Sequence, residues 1–158
     1  MTSGRQTVTY RRATQSDVPR LVAWHADPDV ARYWDGETFT DDEVRARLER
    51  PDVEMWIVEE DGVPVGHLQS WWEAGSPRRG GIDGFVVPAA RGRGIMPRAA
   101  RMLSRDLRAQ GWSEVTVDPY TWNARAIRAW RRAGFVEASR HPPDDEHSSE
   151  WTLMRFVG

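Results

Sequence analysis

The stretch that decides the fold is Val86-Val87-Pro88-Ala89-Ala90-Arg91-Gly92-Arg93-Gly94-Ile95-Met96. Its apolar beginning predicts the end of a strand, and its end predicts the start of a helix over residues 97–110. The Gly-x-Gly segment between them predicts a tight turn. Free backbone N–H groups and the helix dipole at such a turn favour an anion. The turn is therefore a candidate phosphate-binding site.

Arg91 and Arg93 add positive charges that could reach further phosphates of the same ligand. A Gly-x-Gly segment is not specific by itself, and an ordinary turn with solvated arginines is the structural alternative. Other phosphate motifs do not fit the sequence. It has no Gly-Lys-Ser/Thr of a P-loop, no glycine fingerprint after the first strand, and no kinase signature.

Hydrophobic periodicity predicts the elements on either side of the turn. Upstream, it predicts strands over residues 8–12, 55–60, 63–72 and 81–87, and two helices capped by Ser16 and Thr40 that end before Pro28 and at Pro51. Downstream, it predicts strands over residues 114–117, 135–139 and 149–156, and a helix between Asn123 and Gly134. The order β-α-α-β-β-β-α-β-α-β-β predicts an α/β fold on a mixed sheet.

Length and composition limit the function classes. The 158 residues suit one domain, residues 1–158, which we expect to begin with a flexible lead-in over residues 1–6. A net charge of −2 argues against a nucleic-acid partner. The absence of a signal pattern and of a long apolar run predicts a cytoplasmic protein with no membrane partner. With no cysteine and no histidine–carboxylate spacing typical of a metal site, we predict no metal.

The glycine turn resembles the pyrophosphate loop of the GNAT acetyltransferases, whose pattern is Arg/Gln-x-x-Gly-x-Gly/Ala. Arg91 and Gly94 fit this pattern, while Met96 stands where Gly or Ala is usual. Two further segments, Asn123-Ala124-Arg125-Ala126-Ile127-Arg128 and Ala133-Gly134-Phe135, resemble the second signature of the family at the family spacing. The resemblance covers nearly the whole chain. It implies the GNAT fold, a central mixed and mostly antiparallel sheet flanked by about four helices.

The same resemblance implies acetyl-CoA as the cofactor. In the family, the turn amides hold the pyrophosphate, the preceding strand lines pantetheine, and the asparagine position contacts the coenzyme. The implied cofactor-binding residues are Phe85, Val86, Val87, Arg91, Gly92, Arg93, Gly94, Ile95, Met96 and Asn123.

Acetyl transfer to an amine needs a base close to the nitrogen, and a carboxylate can serve. Asp83 lies inside the strand before the turn, and Asp118 ends the strand after the following helix. If these strands are neighbours, both carboxylates lie near the mouth of the coenzyme cleft. Asp-Pro is also a common strand end, which is the structural alternative for Asp118. A charge inside an apolar strand, as at Asp83, needs a specific reason.

Four short segments resemble those of aminoglycoside 6'-N-acetyltransferases: Tyr33-Trp34-Asp35-Gly36-Glu37, Val65-Gly66-His67-Leu68-Gln69-Ser70, Gly81-Ile82-Asp83 and Val117-Asp118-Pro119. This resemblance implies a polyamine substrate, an aminoglycoside acetylated at its 6'-amine. The implied substrate-binding residues are Trp34, Gln69, Asp83 and Asp118, to which Glu73 could add negative potential. We interpret the acids of residues 144–146 as a solvated loop and the histidines as packed or exposed structural residues.

Trp130 stands where GNAT enzymes commonly have a tyrosine that protonates the leaving thiolate. An indole N–H cannot do this at neutral pH, so we predict a packing role for Trp130 and name Tyr120 or water as the general acid. Two other functions remain open. One is a GNAT enzyme for another acceptor, such as a protein N-terminus, a siderophore precursor or a metabolic amine. The other is a non-catalytic acyl-CoA-binding module. We expect a monomer or a homodimer.

Overall fold

The structure is a computed structural model that describes residues 6–75 and 77–158. Its strands are β1 (Val8–Arg12), β2 (Val53–Glu60), β3 (Val63–Trp72), β4 (Arg79–Val86), β5 (Glu114–Val117), β6 (Phe135–His141) and β7 (Trp151–Phe156). Its helices are α1 (Val18–Ala26), α2 (Pro28–Ala31), α3 (Asp41–Leu48), α4 (Ile95–Ala109) and α5 (Ala124–Ala133). Of the lead-in predicted to be flexible, residues 1–5 lie outside the described residues.

The seven strands form one sheet in the order β1-β2-β3-β4-β5-β7-β6. Only β4 and β5 pair in parallel, and every other neighbouring pair is antiparallel. This confirms the predicted fold class, a mixed and mostly antiparallel sheet with helices on both faces. Among the described residues, no helix is both long enough and apolar enough to cross a membrane.

The helices cover the two faces of the sheet with separate apolar cores. One core lies beneath α4 and α5 and includes Leu68, Ile82, Val117, Leu103 and Phe135. The other lies beneath α1 and α3 and includes Val18, Leu21, Val44, Met55 and Ile57. Because side chains alternate along a strand, Ile82 and Val86 of β4 enter the first core, while Asp83 and Phe85 lie on the opposite face.

The start of the first helical segment differs from the prediction. Thr14, rather than Ser16, forms the capping box, and a short 3₁₀ turn precedes α1. Asp17 completes the box by accepting a hydrogen bond of 2.8 Å from the Thr14 N–H. As predicted, α1 ends before Pro28. Pro28 is the first residue of the short helix α2, where a missing N–H costs no intrahelical bond. Asp27 caps that helix.

Several other boundaries moved by one or two residues. Strand β2 begins at Val53 rather than residue 55, and β4 runs over Arg79–Val86 rather than residues 81–87. Helix α4 begins at Ile95 instead of residue 97, because Gly94 takes a left-handed conformation with φ of 72° and acts as the N-cap. Strand β6 continues to His141, where the prediction ended it at residue 139. Strand β7 begins at Trp151 rather than at residue 149.

The central feature for function is the short pairing between β4 and β5. The two strands pair only from Arg79 opposite Glu114 to Gly81 opposite Thr116. Beyond that point β4 stays with β3, whereas β5 stays with β7. The two strands therefore separate and leave a cleft beside the last residues of β4.

Candidate active site

The cleft between the separated strands has a volume of about 390 Å³, a size typical of a small-molecule site. Its walls come from β4, the end of β5, α5, the segment of residues 30–37 and the loop before β7. The acidic lining residues are Asp35, Glu37, Asp83, Asp118 and Glu146. Arg91 and Arg125 also line it, so the cleft offers both an acidic and a basic region.

The glycine turn forms the N-terminus of α4, as predicted. The first intrahelical bond runs from the Arg98 N–H to the Gly94 carbonyl over 3.3 Å, so the amides before it have no partner within the helix. Arg91 donates to the Asp29 carbonyl over 2.9 Å and lies over the Tyr33 ring. These amides and this guanidinium suit a phosphate group, and the unpaired edge of β4 suits an extended chain that contains amides.

The predicted cofactor residues take several positions. Phe85, Val86, Arg91, Met96 and Asn123 line the cleft. Gly92, Gly94 and Ile95 form the turn, while Val87 follows β4 and donates its N–H to the Val65 carbonyl. The Arg93 guanidinium lies 2.7 Å from Glu60, and the structure does not bring it to the cleft. The Asn123 side chain caps α5 by accepting from the Ala126 N–H over 3.1 Å.

Asp83 and Asp118 lie on the same face of the sheet. Gly81 lies opposite Thr116, and each aspartate follows two residues later in its own segment of chain. Since side chains two residues apart along a strand point to the same face, Asp83 and Asp118 share a face. Asp83 borders the cleft, yet its Oδ1 atom is buried and has no hydrogen-bond partner among the described residues. Burial, with the charge of Asp118, raises the pKa of Asp83 to about 7, against a smaller opposing effect of Arg47. Such a carboxyl group is poised to act as a base at neutral pH.

His147 lies between two carboxylates, which the sequence interpretation missed. Its Nε2 atom is 2.7 Å from Asp118 Oδ2, and its Nδ1 atom is 2.8 Å from Asp144 Oδ1. The ring stacks on Trp151 with centroids 4.3 Å apart. Burial lowers the pKa of His147, but the bonds to Asp118 and Asp144 outweigh this and raise it overall. The only signal in the sequence was the acidic run that precedes this histidine.

Tyr120 lines the cleft, but its hydroxyl group is already engaged. It donates to Asp35 Oδ2 over 2.6 Å and accepts from the Ser148 N–H over 3.1 Å. Ser148 Oγ also donates to Asp35, over 2.7 Å. Burial, followed by the bond to Asp35, raises the pKa of Tyr120, so the phenol keeps its proton at neutral pH. Asp35 thereby joins two walls of the cleft, a role that sequence reasoning did not identify.

The predicted acceptor residues are only partly assembled. Trp34 lines the cleft, with its ring centroid 6.2 Å from that of Phe85. Gln69 is buried opposite Asp83 in the sheet and accepts from Arg47 over 3.2 Å. Glu73 is not brought to the cleft, because it is exposed beyond the end of β3 and forms an ion pair with Arg79 at 3.0 Å.

Trp130 has the packing role predicted for it. It is buried, and its ring meets Phe135 edge-on with centroids 5.7 Å apart. One edge of the residue also lines the cleft. Within residues 6–75 and 77–158, no three histidine or carboxylate side chains converge on a point that could hold a metal ion.

Comparisons with known proteins identify the family of this chain. Residues 7–136 match the family described as "Acetyltransferase (GNAT) domain". An aminoglycoside N(6')-acetyltransferase type 1 of Klebsiella pneumoniae is 29% identical over 154 residues, covering 85% of this chain and 77% of that protein. The structure of AAC(6')-Ib in complex with paromomycin and acetyl-CoA is 26% identical, with a TM-score of 0.82 and coverage of 96% of this chain and 93% of that one. The chain therefore belongs to the GNAT acetyltransferase family.

Proposed function

We propose that this chain, acting as one domain in the cytoplasm, transfers the acetyl group of acetyl-CoA to the 6'-amine of an aminoglycoside. The observation that carries the proposal is the pair Asp83 and Asp118, which share the cleft with Arg91 and Met96 at the two ends of the glycine turn. The named activity of the relative at 29% identity and the aminoglycoside bound in the similar structure support the choice of acceptor.

Acetyl-CoA supplies an acetyl group activated as a thioester. The amides from Gly92 to Met96 would hold its pyrophosphate at the positive end of α4, and Arg91 would add a full charge. The free edge of β4 at Phe85 and Val86 would pair with the amides of its extended arm. In this arrangement Arg93 stays in its ion pair with Glu60 and does not contact the pyrophosphate.

The acceptor arrives as an ammonium ion and must lose a proton before it can attack. We assign this proton to Asp83, whose pKa of about 7 lets it stay ionised in part at neutral pH and still bind a proton. The neutral amine would then form the nitrogen–carbon bond while the carbon–sulfur bond breaks and its electron pair leaves with sulfur. The nitrogen would give up its second proton to a water molecule as the amide forms. The phenol of Tyr120 stays protonated, because its pKa is raised. It would return a proton to that sulfur on releasing its hydrogen bond to Asp35, or a water molecule bound beside it would do so.

The acidic lining suits a polycation better than a neutral acceptor. Carboxylates of Asp35, Asp83, Asp118 and Glu146 surround the acceptor end, and each can pair with an ammonium or hydroxyl group. Trp34 adds an apolar face at the same end, which suits the ring of an aminosugar. Gln69 lies opposite Asp83 in the neighbouring strand, where its side chain accepts from Arg47, and it is not among the residues that line the cleft.

The test is the release of free coenzyme A thiol from acetyl-CoA with kanamycin, tobramycin, spermidine or short peptides as acceptors. The chain has no cysteine to consume the thiol reagent. We expect release with the aminoglycosides, with the acetyl group on the 6'-amine. Asp83→Asn should lower kcat by about 10²–10⁴-fold, since it removes the base, and leave acetyl-CoA binding intact.

Each other outcome points to a different function. Release with peptides or metabolic amines alone would indicate a GNAT enzyme with another acceptor. Acetyl-CoA binding without release from any amine would indicate a non-catalytic acyl-CoA-binding module. Full turnover by Asp83→Asn would contradict the role of Asp83 as the base. The acceptor is tested separately, by thiol release from the unsubstituted protein.

A further inference from the structure

The hydrogen bonds of His147 determine its protonation state. Both ring nitrogens lie within 2.8 Å of carboxylate oxygens, those of Asp118 and Asp144. An ionised carboxylate only accepts hydrogen bonds, and a neutral imidazole carries a single N–H. Both contacts can be favourable together only when both nitrogens are protonated. The ring is therefore an imidazolium, a cation built into the acidic end of the cleft.

The position of this cation is well fixed. The His147 side chain is only 11% exposed. Its ring stacks on Trp151, whose indole N–H donates to Asp144 over 3.1 Å. The next residue, Ser148, is bonded to Asp35 and Tyr120 across the cleft. A ring held from several sides loses little freedom when it pairs with Asp118, so the pair is stronger than a surface ion pair.

This contact orients Asp118. Oxygen Oδ2 of Asp118 is taken by His147, which leaves Oδ1 of the same carboxylate for a ligand in the cleft. The imidazolium charge thus faces Asp118, the carboxylate whose own charge acts on Asp83. Without this contact, the Asp118 carboxylate would be free to rotate.

We propose that His147 is a positioning residue for the acceptor, which as an imidazolium holds Asp118 so that one carboxylate oxygen faces the incoming amine. This inference rests on the proposed function, because it takes the cleft beside Asp83 as the acceptor site. It assigns a role to the loop between β6 and β7, which the known signatures of the chain do not include. His147 acts through Asp118 and does not itself touch the reacting atoms.

The proposal predicts a pH dependence. The charged and titratable groups around His147 are Asp118 at the end of β5, Asp144 and Glu146 in its own loop, Tyr120, and His141 on the ring of Trp151. The charge of Asp118 also acts on Asp83. The carboxylates favour the charged ring. The pKa of His147 is raised, so the charge is complete well below that pKa and is lost as the pH rises through it. One of the two bonds must then break, and acceptor binding weakens.

The first test needs no acceptor. Long-range ¹⁵N–¹H NMR of the imidazole rings at pH 7 distinguishes singly from doubly protonated histidine. We expect a doubly protonated ring that disappears in His147→Gln and remains in His141→Gln. His141 is the matched control, because it also stacks on Trp151, at 4.3 Å, but pairs with Ser139 instead of Asp118. A neutral His147 ring at pH 7 would overturn the proposal, whatever the acceptor of the enzyme is.

The second test separates positioning from folding. His147→Ala should raise KM for the acceptor by about tenfold, the effect of losing one charge-assisted bond, and should change KM for acetyl-CoA by less than about twofold. His147→Gln keeps a hydrogen-bond donor for Asp118, so its KM for the acceptor should lie between those of His147→Ala and the unsubstituted protein. Glutamine does not titrate, so this variant should lack the fall in acceptor affinity that deprotonation of His147 causes. His141→Gln should match the unsubstituted protein. Equal acceptor KM values and pH profiles in all four proteins would contradict the proposal.

Discussion

At the scale of single residues, the burial of Asp83 has opposite effects on its proposed role as a base and on the stability of the fold. A base close to an amine must hold a proton with moderate strength, and the structure achieves this by burying one oxygen of the carboxyl group without a partner. An ionised carboxylate in that place loses hydration that nothing in the described chain replaces. The proposed base therefore makes the folded protein less stable at neutral and alkaline pH.

This conflict predicts how Asp83→Asn affects stability. The carboxyl group of the unfolded chain loses its proton near its ordinary pKa of 3.8, while folded Asp83 keeps it up to about pH 7. Stability is therefore lost as the pH rises from about 4 to about 7, and the loss is complete above that window. A three-unit shift corresponds to on the order of 4 kcal/mol. We expect Asp83→Asn to raise the free energy of unfolding at pH 8 and to change it little at pH 4.

Urea unfolding at both pH values measures this difference. Asp52→Asn is the control, because Asp52 is exposed and its bonds to Arg50 lower its pKa instead of raising it. That substitution should bring no gain in stability at pH 8. A gain from Asp83→Asn that is the same at pH 4 and pH 8 would mean that burial of charge is not its cause.

At the scale of elements, the turn before α4 must adopt a left-handed backbone conformation and also expose free amides. Gly94 has φ of 72°, a conformation that costs any other L-residue strain, and it places the free amides at the end of the helix. Gly94→Ala should cost about 1 kcal/mol of stability and raise KM for acetyl-CoA by about tenfold, because strain moves the amides away from the pyrophosphate. KM for the acceptor should not change.

Gly62 provides the matched control for this prediction. It turns the hairpin between β2 and β3 with φ of 81°, and a Cβ atom there would meet nothing within 4 Å. Gly62→Ala should therefore lower stability by a similar amount without affecting either KM. Steady-state kinetics with thermal unfolding of both variants test the difference. If both variants raise KM for acetyl-CoA alike, general destabilisation explains the effect and the turn does not.

At the scale of the whole molecule, the cleft arises because β4 and β5 pair over only part of their length. Strands β4 and β5 share three paired positions, so the two parts of the sheet are linked there by a short ladder and by the helices above it. A ligand that lies between these strands adds contacts to both. Its binding should therefore stabilise the fold by mass action, without any affinity for the unfolded chain.

We predict that coenzyme A at 100 times its dissociation constant raises the free energy of unfolding by about 2.7 kcal/mol and Tm by roughly 5–10 °C. Differential scanning fluorimetry measures the shift. Adenosine, which lacks the pyrophosphate and the extended arm, should give almost none. The absence of a shift with coenzyme A would contradict the assignment of the cleft between β4 and β5.

Most of the strands and helices could be predicted from the sequence, because the signals for them are local. The alternation in the strands, the caps at Thr40 and Asn123 and the glycine turn each depend on neighbouring residues, and the structure contains all of them. The boundary errors arose where alternatives compete over a few residues. Ser16 and Thr14 are both capping residues, and the bond from the Thr14 N–H to Asp17 decided between them.

What the sequence determined by itself is the order of the elements, the glycine turn and the candidate base Asp83, since each has a signal within about ten residues. Only the tertiary structure decided which charges meet. It placed Asp35 against Tyr120 and His147 against Asp118, over separations of 85 and 29 residues. It also moved Glu73 and Arg93 into ion pairs outside the cleft. Such pairings depend on strand register and on burial, which fix distances that spacing along the chain does not contain.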